Sequence, residues 1–173
     1  MGLHPCDVSE ENYKHEIAHV EAELETGKYI AVGEIGLDLH WDKSTLEIQK
    51  KAFIHQVKLA KKYKLPIAIH VRESFAEAIE LIEKLNDENL RGVFHCFTGN
   101  IDDAQRVINL GGFYLGIGGV LTFKNSGLET TSNNFLLFFN SSFKLFELPI
   151  FILKSNDLRL VNICPSSTQN LST

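Results

Sequence analysis

The sequence predicts an α/β domain in which parallel strands alternate with helices. Three observations lead there. Short, nearly continuous apolar runs recur at residues 30–34 (IAVGE), 66–70 (PIAIH), 92–96 (GVFHC) and 112–117 (GFYLGI), the pattern of strands buried on both faces. The segments between them carry apolar residues at helical spacing. Glycine, proline and capping residues punctuate the changes of period. The resulting order is strand, helix, strand, repeated along the chain.

Taken in order, residues 1–3 read as the end of an earlier strand. Tyr13, Ile17, Val20 and Leu24 then share one helix face, and Gly27 stops that helix. After the strand at 30–34, Phe53, Val57, Ala60 and Tyr63 form the apolar stripe of a helix over 46–63, and Pro66 opens the next strand. Ser74 and Glu77 have the spacing of a capping box ahead of Ala78, Ile79 and Leu85. Asn100 is placed to cap a helix bearing Ala104, Val107, Ile108 and Leu110.

The character changes after residue 129. Only five of the 39 charged residues lie beyond it, and six of the twelve phenylalanines crowd into 135–151. Residues 130–134 and 165–173 are polar, uncharged and aperiodic, and 136–153 has room for one or two strands but shows no helical period. The sequence is thus expected to divide into residues 1–128, with the regular α/β pattern, and a divergent tail, 129–173.

Composition narrows the class. A net charge of −5 leaves no broad basic surface for duplex nucleic acid, so a nucleic-acid enzyme of this charge would meet phosphate through bound cations. Cys6, Cys96 and Cys164 form no paired framework, which suits a reducing compartment. With no basic segment leading into an apolar run at the start, and no membrane-length apolar stretch, the expectation is a cytoplasmic protein without a membrane partner.

Glu34, His70 and His95 each close a predicted strand. In parallel α/β folds, sites form where strands end. One carboxylate and two imidazoles from neighbouring strands make a three-donor cation site with an open position, suited to Zn²⁺, Mn²⁺ or a similar water-activating ion. The plainer alternative is three unrelated polar caps on buried strands. Asp38 either orients a ligand or substrate group, or is a loop carboxylate or helix cap. Arg72, just past His70, either binds phosphate bidentately or pairs on the surface with Glu73. His4 either faces the mouth of the site or belongs to the turn set by Pro5. Cys96 falls opposite His95 by strand alternation and is expected in the core, while His15, His19, His40 and His55 are expected on the surface. Main-chain N–H groups at Thr98–Gly99, and around Gly116, Gly118, Gly119 and 121–127 with Lys124 adding charge, are arranged to hold a phosphate. No triphosphate-binding loop is present.

Several motifs in series carry a family resemblance. GLHP at 2–5 and GEIGLD at 33–38 are followed by Gln49, Phe53, Gln56, Leu59 and Ala60 in one helix; then come LPIAIHVR at 65–72, GVFHCFTG at 92–99 and LGIGGVLTFKNSGL at 115–128. Together these resemble the TatD family of metal-dependent deoxyribonucleases, within the amidohydrolase-like barrels. The resemblance implies a TIM-like (β/α) barrel with a one- or two-metal site (Zn, Mn or Mg) that hydrolyses DNA phosphodiesters, single strands or frayed ends being the expected partner. It makes Glu34 the metal-bridging carboxylate and His70 and His95 further ligands. It places His4, Asp38 and Arg72 near the substrate or behind the ligands, so that Glu34, Asp38 and Arg72 are the candidate catalytic residues and His4, Arg72 and Lys124 the candidate substrate-binding ones.

Two departures from the family pattern shape the remaining expectations. The family's opening strand with a His-x-His pair has no counterpart here, and its late acidic ligand is not matched by Glu129, Thr130 and Thr131 or by Asp157 in SNDLRL. The expectation is an incomplete barrel, without its first and normal closing strands, that holds one ion at most and cleaves DNA poorly unless another chain supplies ligands. A hydrolase of small phosphoesters or amides, and an inactive fragment or metal-binding pseudoenzyme, are the competing readings.

Overall fold

The computed structural model describes residues 1–116. A short 3-10 turn, Pro5–Asp7, leads into α1 (Tyr13–Glu25), β1 (Val32–Asp38), a second 3-10 turn (Lys43–Thr45) and α2 (Leu46–Tyr63). There follow β2 (Ile67–Arg72), α3 (Phe75–Leu85), β3 (Gly92–Phe94), α4 (Ile101–Asn109) and β4 (Phe113–Leu115). The four strands pair in parallel in the order β1-β2-β3-β4, so α2, α3 and α4 are each a crossover between neighbours. That sequential order is the one a (β/α) barrel requires.

One face of this sheet is apolar and packed against helices. Along the pairing register, Ile35, Ile69, Phe94 and Leu115 form one buried row. Against the sheet's apolar face lie Ile17, Val20 and Leu24 of α1, Ala52, Phe53 and Val57 of α2, Ala78, Ile79 and Ile82 of α3, and Ala104 and Val107 of α4. Each of the valine, leucine, isoleucine and phenylalanine side chains among them contributes about 1.5–3 kcal/mol when fully removed from water. Phe94 anchors the row, with Phe75 at 5.7 Å and Phe113 at 6.0 Å between ring centroids. The opposite face carries Glu34, Gly36 and Asp38 of β1 and His70 and Arg72 of β2, by the two-residue period of a strand.

The strand boundaries differ from the sequence expectation. β1 starts later and runs four residues past Glu34, so Asp38 and not Glu34 ends it. β2 likewise continues to Arg72. Residues 1–3 form no assigned strand, yet Met1 makes two main-chain bonds to the start of β1, donating to Ala31 O (3.2 Å) and accepting from Gly33 N (2.9 Å).

Local chemistry explains the other differences. Ser74 does not cap α3. It is buried, and its hydroxyl donates to Leu37 O (2.8 Å) and Arg72 O (3.1 Å), carbonyls at the ends of β1 and β2. Asn100 does cap α4, in a reciprocal box with Asp103. Cys96 is exposed and not in the core, because β3 stops at Phe94 and Cys96 takes φ = +46° in the turn beyond it. Phe97 fills the core there instead. His15, His19 and His40 are exposed; His55 is half-buried, 3.1 Å from the Tyr13 hydroxyl, and ties α2 to α1. Among the described residues no helix is long and apolar enough to cross a membrane. Lys124, the glycines from Gly118 onward, Cys164 and the 129–173 segment lie outside the described residues.

Candidate metal centre

The polar side chains on the open face of the sheet converge on Glu34. Its Oε1 lies 2.8 Å from His95 Nδ1 and its Oε2 lies 3.8 Å from His4 Nε2. Candidate donor atoms of His4, Glu34 and His70 all lie within 4.8 Å of one another, and the His4 and His70 rings are 4.5 Å apart between centroids. Of the three residues grouped from the sequence, Glu34 and His70 share the cluster, and His95 meets Glu34 alone. His4, which the sequence left between the site mouth and the Pro5 turn, enters the tightest cluster while its ring also caps that turn, and His95 flanks the cluster through Glu34.

Behind this group stands Asp38, only 4% exposed. Its Oδ2 is 2.8 Å from His70 Nε2, and its Oδ1 accepts from His40 N at 2.9 Å. Burial pushes the Asp38 carboxyl up, but the hydrogen bond from His70, with those of the His40 N–H and the Cys6 thiol, outweighs it and holds the group below the usual carboxylate range. An ionised Asp38 accepts a hydrogen bond from the His70 Nε2–H and leaves Nδ1 with its lone pair free. The carboxylate-histidine pair is the arrangement that orients an imidazole for metal. His4 is fixed differently: its Nδ1 accepts from Cys6 N at 3.2 Å, so in the neutral ring the proton sits on Nε2, facing Glu34. Burial, and then the neighbouring His70, lower the His4 pKa and favour that neutral ring.

Two buried glutamines of α2 hold the segments that carry these groups. Gln56 binds Leu3 from both sides, accepting from its N–H at 2.6 Å and donating to its carbonyl at 3.1 Å, next to His4. Gln49 does the same for Asp38, at 2.8 and 2.9 Å. The sequence reading noted both glutamines without giving them a role. The available signal was a polar residue on the apolar face of an amphipathic helix, repeated seven residues on. Gly36 supplies the remaining constraint. At φ = +148° it lies so close to β2 that a Cβ would meet His70 O at 1.9 Å. Only glycine permits that approach.

Arg72 is exposed and makes no ion pair with Glu73; its guanidinium lies over the Trp41 ring, 5.6 Å from the centroid, and Glu73 pairs with His40 instead. Thr98 and Gly99 line a separate cavity of about 450 Å³ beside His95. Glu73 and Asp103 line it too, and the N-terminus of α4 is already closed by its own cap, which makes this cavity unsuited to phosphate.

Comparison with known proteins follows the same residues. Residues 1–134 match the family described as TatD related DNase. The chain is 38% identical over 126 residues to the uncharacterized metal-dependent hydrolase YabD of Bacillus subtilis, covering 73% of this chain and 49% of YabD. It is 34% identical over 128 residues to the 3'-5' ssDNA/RNA exonuclease TatD of Shigella flexneri, covering 74% and 48%. The crystal structure of YjjV, a TatD homolog from Escherichia coli K12, superposes with a TM-score of 0.68 at 32% identity, covering 76% of this chain and 51% of YjjV. The chain spans about half the length of the curated relatives it matches.

Proposed function

The chain belongs to the TatD related DNase family, and from that premise we propose that it is a metal-dependent phosphodiester hydrolase acting on DNA, with single strands or frayed ends as substrate. The observation that carries the reading is Glu34, with an imidazole facing each of its carboxylate oxygens, backed by His70 on the buried Asp38 carboxylate. A hard carboxylate and imidazoles suit Zn²⁺, Mn²⁺ or Mg²⁺, with the nitrogen donors favouring the first two. Glu34, His70 and His95 would hold the ion, and when bound it supplies Lewis-acid polarisation of the phosphoryl group and a more acidic water.

The chain's own residues take the other roles. Asp38 keeps the proton on His70 Nε2 and the ring in place. His4, with its proton on Nε2, is a donor to a phosphate oxygen. Arg72 is the exposed cation at the end of β2 and binds the phosphate electrostatically. The free thiols of Cys6 and Cys96 accord with a cytoplasmic location. The described residues supply a donor set for one ion.

A parallel assay tests the reading. Single-stranded DNA, a small phosphodiester, a phosphomonoester and an amide are offered to the purified chain with added Mn²⁺ or Zn²⁺. Metal-dependent cleavage of the DNA, lost in Glu34→Gln, is expected. Turnover of the small esters or amides with the DNA left intact would replace this reading by that of a small-molecule hydrolase. A chain that binds metal but turns over none of them would be a pseudoenzyme.

A further inference from the structure

Trp41 is the sole tryptophan of the chain and is 76% exposed. A single exposed apolar residue needs no explanation by itself. This one is held in a defined setting. The His40 ring meets the indole edge-on, with centroids 4.7 Å apart and planes at 81°. The Arg72 guanidinium lies over the indole. His40 is fixed at two points, its N–H donating to Asp38 Oδ1 at 2.9 Å and its Nδ1 lying 2.6 Å from Glu73 Oε1. Asp38 is also the partner of His70. The indole is therefore tied to the carboxylate that orients a candidate metal ligand.

We infer that Trp41 and Arg72 form a subsite for one nucleotide of a single-stranded nucleic acid, the indole stacking on the base and the guanidinium pairing with its phosphate. The inference rests on the phosphodiesterase reading above. Arg72 follows His70 by two residues on the same side of β2, about 6.6 Å further along the strand. The subsite thus lies beside the donor set, within reach of a neighbouring nucleotide. Stacking tolerates any sequence, because every base has a π-face. A paired base is already stacked on its neighbours, and exposing it costs a few kcal/mol. Trp41 therefore selects unpaired bases. With a net charge of −5, the chain as a whole has no cationic excess to hold a strand, and aromatic stacking supplies what charge does not.

Because Trp41 is the only tryptophan, its fluorescence reports the subsite directly. The full chain, with chelator present so that nothing is cleaved, is titrated with an oligothymidylate and with an abasic oligodeoxyribose phosphate of equal length. The oligothymidylate should quench and the abasic strand should not. With end-labelled probes, Trp41→Ala should weaken oligothymidylate binding about 5- to 150-fold, the equivalent of about 1–3 kcal/mol of stacking. Its affinity for the abasic strand should be unchanged, Trp41→Phe should keep most of the difference, and Arg72→Ala should weaken both probes. Equal quenching by the two strands, no binding of oligothymidylate, or unchanged binding by Trp41→Ala overturns the subsite. Stacking without cleavage in the metal assay would leave the subsite standing and remove the phosphodiesterase reading. DNA cleavage indifferent to Trp41 would do the reverse.

Discussion

At the scale of single residues, Glu34 and Asp38 sit on the same face of one strand and do different work. Glu34 is the shared partner of His4 and His95, so replacing its charge removes the centre of the cluster. Asp38 touches none of the proposed chemistry directly; it positions His70. Asp38→Asn keeps the shape but turns an acceptor into a group that can donate to His70. We expect about a 10- to 100-fold loss of metal affinity, the usual effect of losing such a partner. Isothermal titration with Zn²⁺ reads this, and an unchanged affinity would show that the Asp38–His70 contact is only structural. The contacts of Glu34 with His70 and His95 follow from residues that end apolar runs, whereas the entry of His4 into the cluster has no such signal. The role of Asp38 was only half readable, because its partner lies on another strand and 32 residues away. The placement of Arg72 on Trp41 was not readable, since a cation–π contact between a strand end and a loop leaves no period in the sequence.

At the scale of elements, α2 is both a packing helix and the clamp on the site. Its Phe53 and Val57 bury against the sheet while Gln49 and Gln56 reach the main chain at Asp38 and Leu3. Gln56→Leu should cost about 1–3 kcal/mol, because it leaves a buried N–H and carbonyl without partners. It should also loosen His4, so the fall in stability by chemical denaturation should come with weaker phosphate binding. A loss of stability alone would separate the clamp from the site. Gly36→Ala drives a Cβ into His70 O and should destabilise by about 1–3 kcal/mol or more, read as a lower melting temperature. Lys61 of α2 lies 2.8 Å from Asp87, and its hydrogen bond holds that carboxyl below its ordinary value of 3.8. A depressed carboxylate contributes stability above its unfolded value and loses it as pH falls through the folded one. The melting temperature should therefore drop on acidification below about pH 3.8, and less so in Lys61→Met. All four helices could be read from apolar spacing, whereas the cap expected at Asn100 is made and that at Ser74 is not. The ends of β1 and β2 could not be read, because Gly36, Asp38 and Arg72 break the apolar run on the site face while the other face stays buried.

At the scale of the whole molecule, four parallel strands in sequential order present one apolar face to their helices and one polar face to the site. The alternation of buried strands and amphipathic helices made the fold class readable. The gathering of His4, His70 and His95 from separate segments around Glu34 is a property of the assembled fold, and no local pattern encodes it. The solved YjjV structure superposes on this fold over about half of its own length. The central claim is that these gathered residues constitute a metal centre, and the metal content of the purified chain tests it most directly. After dialysis against Zn²⁺ or Mn²⁺, elemental analysis should find a single divalent ion per chain, lost in Glu34→Gln and in His70→Ala but kept in His19→Ala, whose exposed imidazole lies on α1. A chain that retains no ion, or one whose ion survives both Glu34→Gln and His70→Ala, would contradict the account.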